Sequence, residues 1–366
     1  MQSVKKVDVL ANNTHVGTLV EHEGKILFQY SPSFIENGFS ISPFSLPLTN
    51  ELFTPKGSEF EGLFGIFHDS LPDGWGRLLT DRYLLSKGID RNEINILTRL
   101  CMLNEDATGN LEYHPRMEAR TSYSDDDFDK LFTDAQNLLR NTELKEKDLD
   151  QLYEKGGSSG GARPKVNVLY DKEPWLVKFP SSFDGDDAGE KEYECNLRAA
   201  DAGINVAKFK LIKSKITKGF FASKRFDRID GKRIHMASLS AILESSHRYP
   251  ALDYYHLLKV TEILTHSEKE TEEAFRRACF NVFIENQDDH GKNFAFLYDD
   301  GKREWHLSPA YDITSTQTSF GEHSTTVMKK GKSISSDDLR RLADEFTIKQ
   351  SVREEILRDT WKAAKA

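Results

Sequence analysis

Between Lys6 and Tyr30 apolar and polar residues alternate. Lys6-Val7-Asp8-Val9-Leu10 and Val16-Gly17-Thr18-Leu19-Val20 flank Asn12-Asn13, and Lys25-Ile26-Leu27-Phe28-Gln29-Tyr30 follows Gly24. A period of two predicts strands, and Asn and Gly between the runs predict tight turns. From residue 59 the pattern turns helical. Leu63, Phe64, Ile66 and Phe67 precede the turn signal Leu71-Pro72-Asp73-Gly74, and residues 77–86 and 92–103 carry helical spacing. Residues 104–150 are polar and acidic, with Ser122-Tyr123-Ser124-Asp125 placed to cap a helix running to Leu139.

The second half alternates more sharply. Val166-Asn167-Val168-Leu169-Tyr170 and Trp175-Leu176-Val177-Lys178-Phe179 predict strands on either side of Glu173-Pro174, and residues 189–203 predict a helix stopping at Gly203. Residues 207–212 and 219–228 follow as strands, the second running into a connector. After a hairpin at Asp230-Gly231 the pattern becomes helical at 254–265 and 268–285. Ser335-Ser336-Asp337-Asp338 caps one further helix, and residues 352–363 form another.

Composition sets bounds. The chain has 366 residues, 38% hydrophobic and 30% charged, which is ordinary for globular domains and enough for two or three of them. A net charge of -9 argues against a bulk nucleic-acid binder, leaving only local basic faces such as Lys329, Lys330 and Lys332. Cys101, Cys195 and Cys279 lie far apart, which fits neither a zinc site nor a disulfide framework and suits a reducing compartment. The start lacks an apolar leader pattern and no run approaches 18 apolar residues, so a cytoplasmic protein without a membrane span is expected.

The densest polar cluster is Asn286-Gln287-Asp288-Asp289-His290-Gly291-Lys292-Asn293, set between apolar runs. Buried carboxylates need a cation, a metal or several hydrogen bonds, so this loop is either exposed or chemical. Asp288 precedes Asn293 by five positions. That is the spacing of a protein-kinase catalytic loop, in which the Asp accepts the substrate hydroxyl proton and the Asn binds Mg²⁺. Lys292 would neutralise the transferring phosphoryl group. Asp289 is the alternative base, one residue short in spacing. Asp312, after the strand Trp305-His306-Leu307, adds a second carboxylate to a hard-oxygen set. The bland alternative is a solvated turn.

The partners of such a loop occur in kinase order. Gly156-Gly157-Ser158-Ser159-Gly160-Gly161-Ala162 leads into a strand, and its glycines would let backbone N–H groups approach phosphate oxygens. No Gly-Lys-Ser/Thr follows, so it is not a Walker A loop. Ser158, Ser159, Gly160, Gly161 and Ala162 are the expected nucleotide contacts, with Lys178 on the α/β-phosphates. Glu192, or alternatively Glu190, would hold that lysine from a helix. Backbone groups from Lys224 to Phe226 would read the adenine edge.

With those residues the chain resembles the HipA-like serine/threonine kinases, toxins of bacterial type II toxin–antitoxin modules. Phe60-Glu61-Gly62-Leu63 through Leu71-Pro72-Asp73 resembles the family's N-terminal domain, Lys191-Glu192-Tyr193-Glu194-Cys195 its helix motif, and Arg225-Phe226-Asp227-Arg228 its hinge. Asn286 through Asn293 resembles its catalytic loop. The resemblance implies an α+β, two-lobed protein-kinase-like fold with a β-rich N-terminal accessory domain and a mainly helical C-lobe. The expected domains are 1–115, 116–228 and 229–366. It implies ATP and Mg²⁺ as cofactors, Asp288 as base, Asn293 and Asp312 on the metal, and autophosphorylation of Ser158 as an off-switch. A phosphate there sets about -1.5 to -2 charges against the nucleotide's own. It also implies a helix-turn-helix, HipB-like antitoxin that carries the operator DNA, and an aminoacyl-tRNA synthetase as protein substrate. The other readings are a small-molecule kinase and a non-catalytic co-repressor docking a helix-turn-helix partner.

Overall fold

The computed structural model describes residues 3–117, 127–249, 251–318 and 320–366. The chain divides into two compact units. One holds the described residues up to Glu190 together with Lys210–His235, the other Lys191–Phe209 together with Met236–Ala366.

The first unit begins with the alternating segment. A four-stranded sheet runs in the order Lys25–Tyr30, Thr14–His22, Lys6–Ala11, Leu111–His114. Val7, Val9, Val16, Leu19 and Phe28 are fully buried, as a period of two demands when one sheet face is covered. Asn12 and Asn13 both take positive φ, the geometry of a two-residue hairpin turn. A second sheet is ordered Lys165–Tyr170, Glu173–Lys178, Phe220–Lys224, Phe209–Ile212. Its first hairpin turns at Asp171 and Lys172, both at positive φ, while Glu173 and Pro174 already pair with Tyr170 and Leu169. The second strand therefore begins at Glu173, two residues before the Trp175 expected from the sequence. Helices Phe128–Leu139 and Glu146–Gly156 close this unit's core with Trp75, Leu79, Leu152, Val166, Val177 and Phe220. Asp127 caps the first of these helices. The cap expected at Ser122–Asp125 lies outside the described residues.

The segment expected to be a hinge forms a bolt inside the first unit. Asp227 accepts from Arg225 Nη2 at 2.7 Å, Arg228 Nη1 at 2.8 Å and the Gly109 N–H at 2.9 Å. The guanidinium groups of Arg225, Arg228 and Arg233 donate in turn to backbone carbonyls between Glu105 and Leu111. Asp227 is held well below the usual carboxylate range by Arg225 and Arg228, which outweigh its burial.

His235 is buried in the same unit, with Nε2 2.9 Å from the Ile41 carbonyl and Nδ1 2.9 Å from Asn110 Oδ1. A carbonyl can only accept, so Nε2 carries a proton, and the neutral ring then requires the Asn110 amide to turn its nitrogen towards Nδ1. Burial lowers the ring pKa from 6.5 to about 4. The unfolded chain therefore takes up a proton that the folded chain refuses. Stability is lost as pH falls from about 6.5 towards 4, by on the order of 3 kcal/mol in full. Thermal melting followed across that window should show the loss in the wild type and a flattened profile in His235→Gln. An identical acid profile in both would assign the loss to other groups.

The second unit is mostly helical. Helices Tyr254–Thr265, Glu268–Phe283, Ser336–Asp344 and Gln350–Lys365 accompany a three-stranded sheet ordered His235–Ser238, Ala295–Asp299, Glu304–Leu307. Asp253 and Ser335 each form a capping box, satisfying two N-terminal donors at once. Phe280, Ile284, Ala310, Ile313 and Ala363 share a buried cluster. The mixed class expected from the sequence holds, with a β-rich start and helices concentrated in the later part. Among the described residues no helix is long and apolar enough to cross a membrane.

Candidate active site

The polar cluster of the second unit separates into an outward and an inward carboxylate. Asp288 is exposed, its side chain 53% accessible, with Oδ1 3.9 Å from His290 Nε2. Asp289 is fully buried. Its Oδ2 accepts from the Tyr254 hydroxyl at 2.7 Å and lies 2.8 Å from His323 Nδ1, and its Oδ1 accepts from the Thr325 N–H at 3.1 Å. Asn281 Nδ2 donates to the Tyr254 hydroxyl and Asn286 Nδ2 to Asn281 Oδ1. Asp289 thus holds the loop through a hydrogen-bond network, and it also lines the pocket that Asn293 and Asp312 share, which Asp288 does not.

Asn293 ends a short 3-10 turn, Gly291–Asn293. Its Nδ2 donates to the Asp288 carbonyl at 2.7 Å. With the amide nitrogen so engaged, the amide oxygen is the group left to face a cation. Lys292 sits in the same turn, its carbonyl accepting from the Tyr311 hydroxyl at 2.6 Å. Asp312 follows a segment pinned by a parallel bridge between Val206 and Ala310. Its φ of 53° lies in the left-handed region, which Asp tolerates better than most residues. Asn293, Asp312 and Tyr311 line one open pocket of about 320 Å³ with Asn281, Asn286 and Arg277. One amide oxygen and one carboxylate make a hard-oxygen pair suited to Mg²⁺, which usually takes few protein ligands and completes its shell with phosphates and water.

In the first unit the Gly-rich run is no linker. Gly156 closes a helix, and Ser158 and Ser159 are buried. Ser158 Oγ donates to Asn104 Oδ1 at 2.9 Å, and Asn104 Nδ2 donates to the Glu154 carbonyl at 2.7 Å. Ser159 Oγ donates to the Gly156 carbonyl at 2.5 Å. Gly160 and Gly161 are half-buried and Ala162 is exposed. Lys178 and Lys165 are direct partners across the hairpin, both buried. Lys178 Nζ also lies 5.5 Å from the Phe221 ring centroid. Lys224 pairs with Glu173, and Phe226 is half-buried beside the Arg225–Asp227 bolt.

Glu192 is buried on the helix Ala188–Asp201, in the part of it that belongs to the second unit. Glu190, in the first unit, forms an exposed pair with Lys218 at 3.3 Å. Among the basic residues near the end, Lys330 binds Asp338 at 2.7 Å and Lys332 binds Glu322 at 3.0 Å. Those pairs suit a solvated loop better than a phosphate-contacting patch.

Residues 157–366 match the HipA-like C-terminal domain family, and residues 7–114 match the HipA N-terminal domain family. The chain belongs to the HipA family. Among solved structures, HipA of Shewanella oneidensis MR-1, determined with HipB and its operator DNA, aligns over 98% of this chain and 88% of its own. The identity is 17% and the TM-score 0.69, so the two share a fold. The Helicobacter pylori proinflammatory kinase CtkA aligns over 55% of this chain and 90% of its own, at 12% identity and a TM-score of 0.35. No curated protein matches.

In this HipA-family chain the residues missed by sequence reasoning are those that hold the loops. Tyr254, Asn281, His323 and Thr325 reach Asp289 or its hydroxyl partner from 27 to 36 positions away. Asn104 reaches Ser158 across 54 positions. None belongs to a short motif. A signal was available in the helix Glu268–Phe283, where the buried Asn281 interrupts the apolar stretch Ala278-Cys279-Phe280 and Val282-Phe283.

Proposed function

We propose that this chain is an ATP- and Mg²⁺-dependent serine/threonine protein kinase acting as a HipA-type toxin in the cytoplasm. The observation that carries the reading is the second unit's Asp288–Asn293–Asp312 arrangement: the exposed Asp288 accepts from the Asn293 amide through its backbone carbonyl, and Asn293 and Asp312 line one pocket. Membership of the HipA family supports it.

In this reading Asp288 accepts the proton of a substrate serine as its oxygen attacks the γ-phosphorus. The bond from that phosphorus to the bridging oxygen breaks, and ADP leaves. Asn293 and Asp312 would hold Mg²⁺, which neutralises charge on the phosphate oxygens. Lys292 faces the transferring group. Lys178 and the backbone of Ser158 to Ala162 would position the phosphates, while the backbone from Lys224 to Phe226 would take the adenine. Most of the acceleration is positioning and charge stabilisation.

The solved structure of the Shewanella protein contains HipB and operator DNA. By the same logic the partner here is a helix-turn-helix antitoxin that carries the operator contact. The substrate class is a translation component such as an aminoacyl-tRNA synthetase. Autophosphorylation of Ser158 is the off-switch. Its hydroxyl points at Asn104 and must leave that seat before it can reach a phosphoryl donor. After preincubation with ATP, Ser158→Ala should keep its transfer rate while the wild type loses most of it. Equal inactivation of both would move the switch off Ser158, with Ser159 the nearest alternative. The reading itself is tested by γ-phosphate transfer to protein serine from ATP, compared between wild type and Asp312→Asn.

A further inference from the structure

Asp73 precedes the helix Gly74–Ser86, the position from which an Asp usually caps its own helix. Its carboxylate makes no such cap. Instead Oδ1 accepts from the N–H of Gly161, 88 positions away. The helix's Trp75 N–H donates back to the Gly161 carbonyl at 2.9 Å. Both backbone groups of one loop glycine are therefore held by the start of one helix.

The contact continues along the loop. Trp75 Nε1 donates to the Lys165 carbonyl at 3.0 Å, and Thr80 Oγ1 lies 3.4 Å from the Gly157 carbonyl oxygen. Two glycines of the helix permit the approach. A side chain at Gly74 would lie 2.6 Å from the Gly161 carbonyl oxygen, and one at Gly76 would strike the Ser159 carbonyl and, at 2.7 Å, Pro72. The Gly-rich loop is thus held at Gly161 and Lys165 by Asp73 and Trp75, and at Gly157 by Thr80 of the same helix.

We infer that Asp73 is a positioning residue for the Gly-rich loop. A glycine run left to itself samples many conformations, including positive φ, and Gly161 sits at +87°. Fixing its N–H and C=O removes that freedom before any anion arrives, so the neighbouring amides already stand in one arrangement. Asp73 acts through Gly161 and needs no contact with nucleotide. The inference rests on reading this loop as the nucleotide phosphate loop.

The test compares full-length wild type, Asp73→Ser and Asp73→Asn. Serine keeps a good N-cap residue but is too short to supply the carboxylate oxygen, whereas the asparagine amide oxygen still accepts. Two readouts are taken: hydrogen exchange of the Ser159 to Ala162 amides without nucleotide, and KM against kcat for ATP. Asp73→Ser should exchange about tenfold faster and raise KM about tenfold with kcat little changed, the scale of one lost hydrogen bond. Asp73→Asn should return both close to wild type. Unchanged exchange in Asp73→Ser, or an Asp73→Asn as impaired as Asp73→Ser, overturns the inference. If Asp73→Ser melts too low to assay, Asp73→Glu carries the same comparison, because it keeps the charge and displaces the oxygen. Faster exchange in Asp73→Ser beside a wild type that binds no ATP would uphold the clamp and remove the nucleotide reading of the loop.

Discussion

Asp288→Asn should lower phosphoryl transfer by a factor on the order of 10² to 10⁴, the usual span for a lost general base. That corresponds to about 3 to 5 kcal/mol of transition-state stabilisation. The substitution is nearly isosteric. The contact that shapes the loop runs from Asn293 Nδ2 to the backbone carbonyl of residue 288, so it survives the change. KM for ATP should therefore move little while kcat falls, the pattern of an interaction made only in the transition state. Asp289 gives the internal control. It is fully buried and accepts from Tyr254 and Thr325. Asp289→Asn should lower the melting temperature as well as the rate, because buried donors lose a charged partner. Initial rates with a protein-serine acceptor decide the matter. A full rate in Asp288→Asn would take that residue out of the role.

Asp227→Ala should destabilise the first unit by about 3 to 5 kcal/mol, the range for breaking a buried ion pair from one side. Two guanidinium groups, Arg225 and Arg228, would lose the carboxylate that both contact within 3 Å, and the Gly109 N–H would lose its acceptor. The carbonyls between Glu105 and Leu111 soften the loss without replacing the charge. Urea unfolding should show a lower midpoint at unchanged slope. A change under about 0.5 kcal/mol would mean the cluster relaxes freely, as a surface site does. The bolted segment directly follows Asn104, the seat of Ser158, so a loosened bolt should also loosen that serine.

Much of this architecture was legible because its signals are local. Period-two alternation placed the strands of residues 6–30, Asn12-Asn13 placed their turn, and Ser335 announced its helix. The five-residue gap from Asp288 to Asn293 picked out a pair that one hydrogen bond joins. The strand starting at Glu173 was expected to start at Trp175 because Pro174 reads as a break, yet that proline sits in the strand at a position that needs no N–H from it. Asp73 was read only as part of a turn. Its composition showed a break in the chain, but its hydrogen-bond partner lies 88 residues on, beyond any spacing rule. The same holds for Asp289. Spacing to Asn293 ranked the two adjacent aspartates, but that one faces outward and the other inward shows only in their burial.

The most direct measurement is mass spectrometry of the chain after incubation with ATP and Mg²⁺, first alone and then in lysate, beside the Asp288→Asn variant. The account predicts phosphate on a loop serine of the chain itself and on serine of a second protein, both lost in the variant. Phosphate found only on a small metabolite, or on protein to the same extent in the variant, would contradict it.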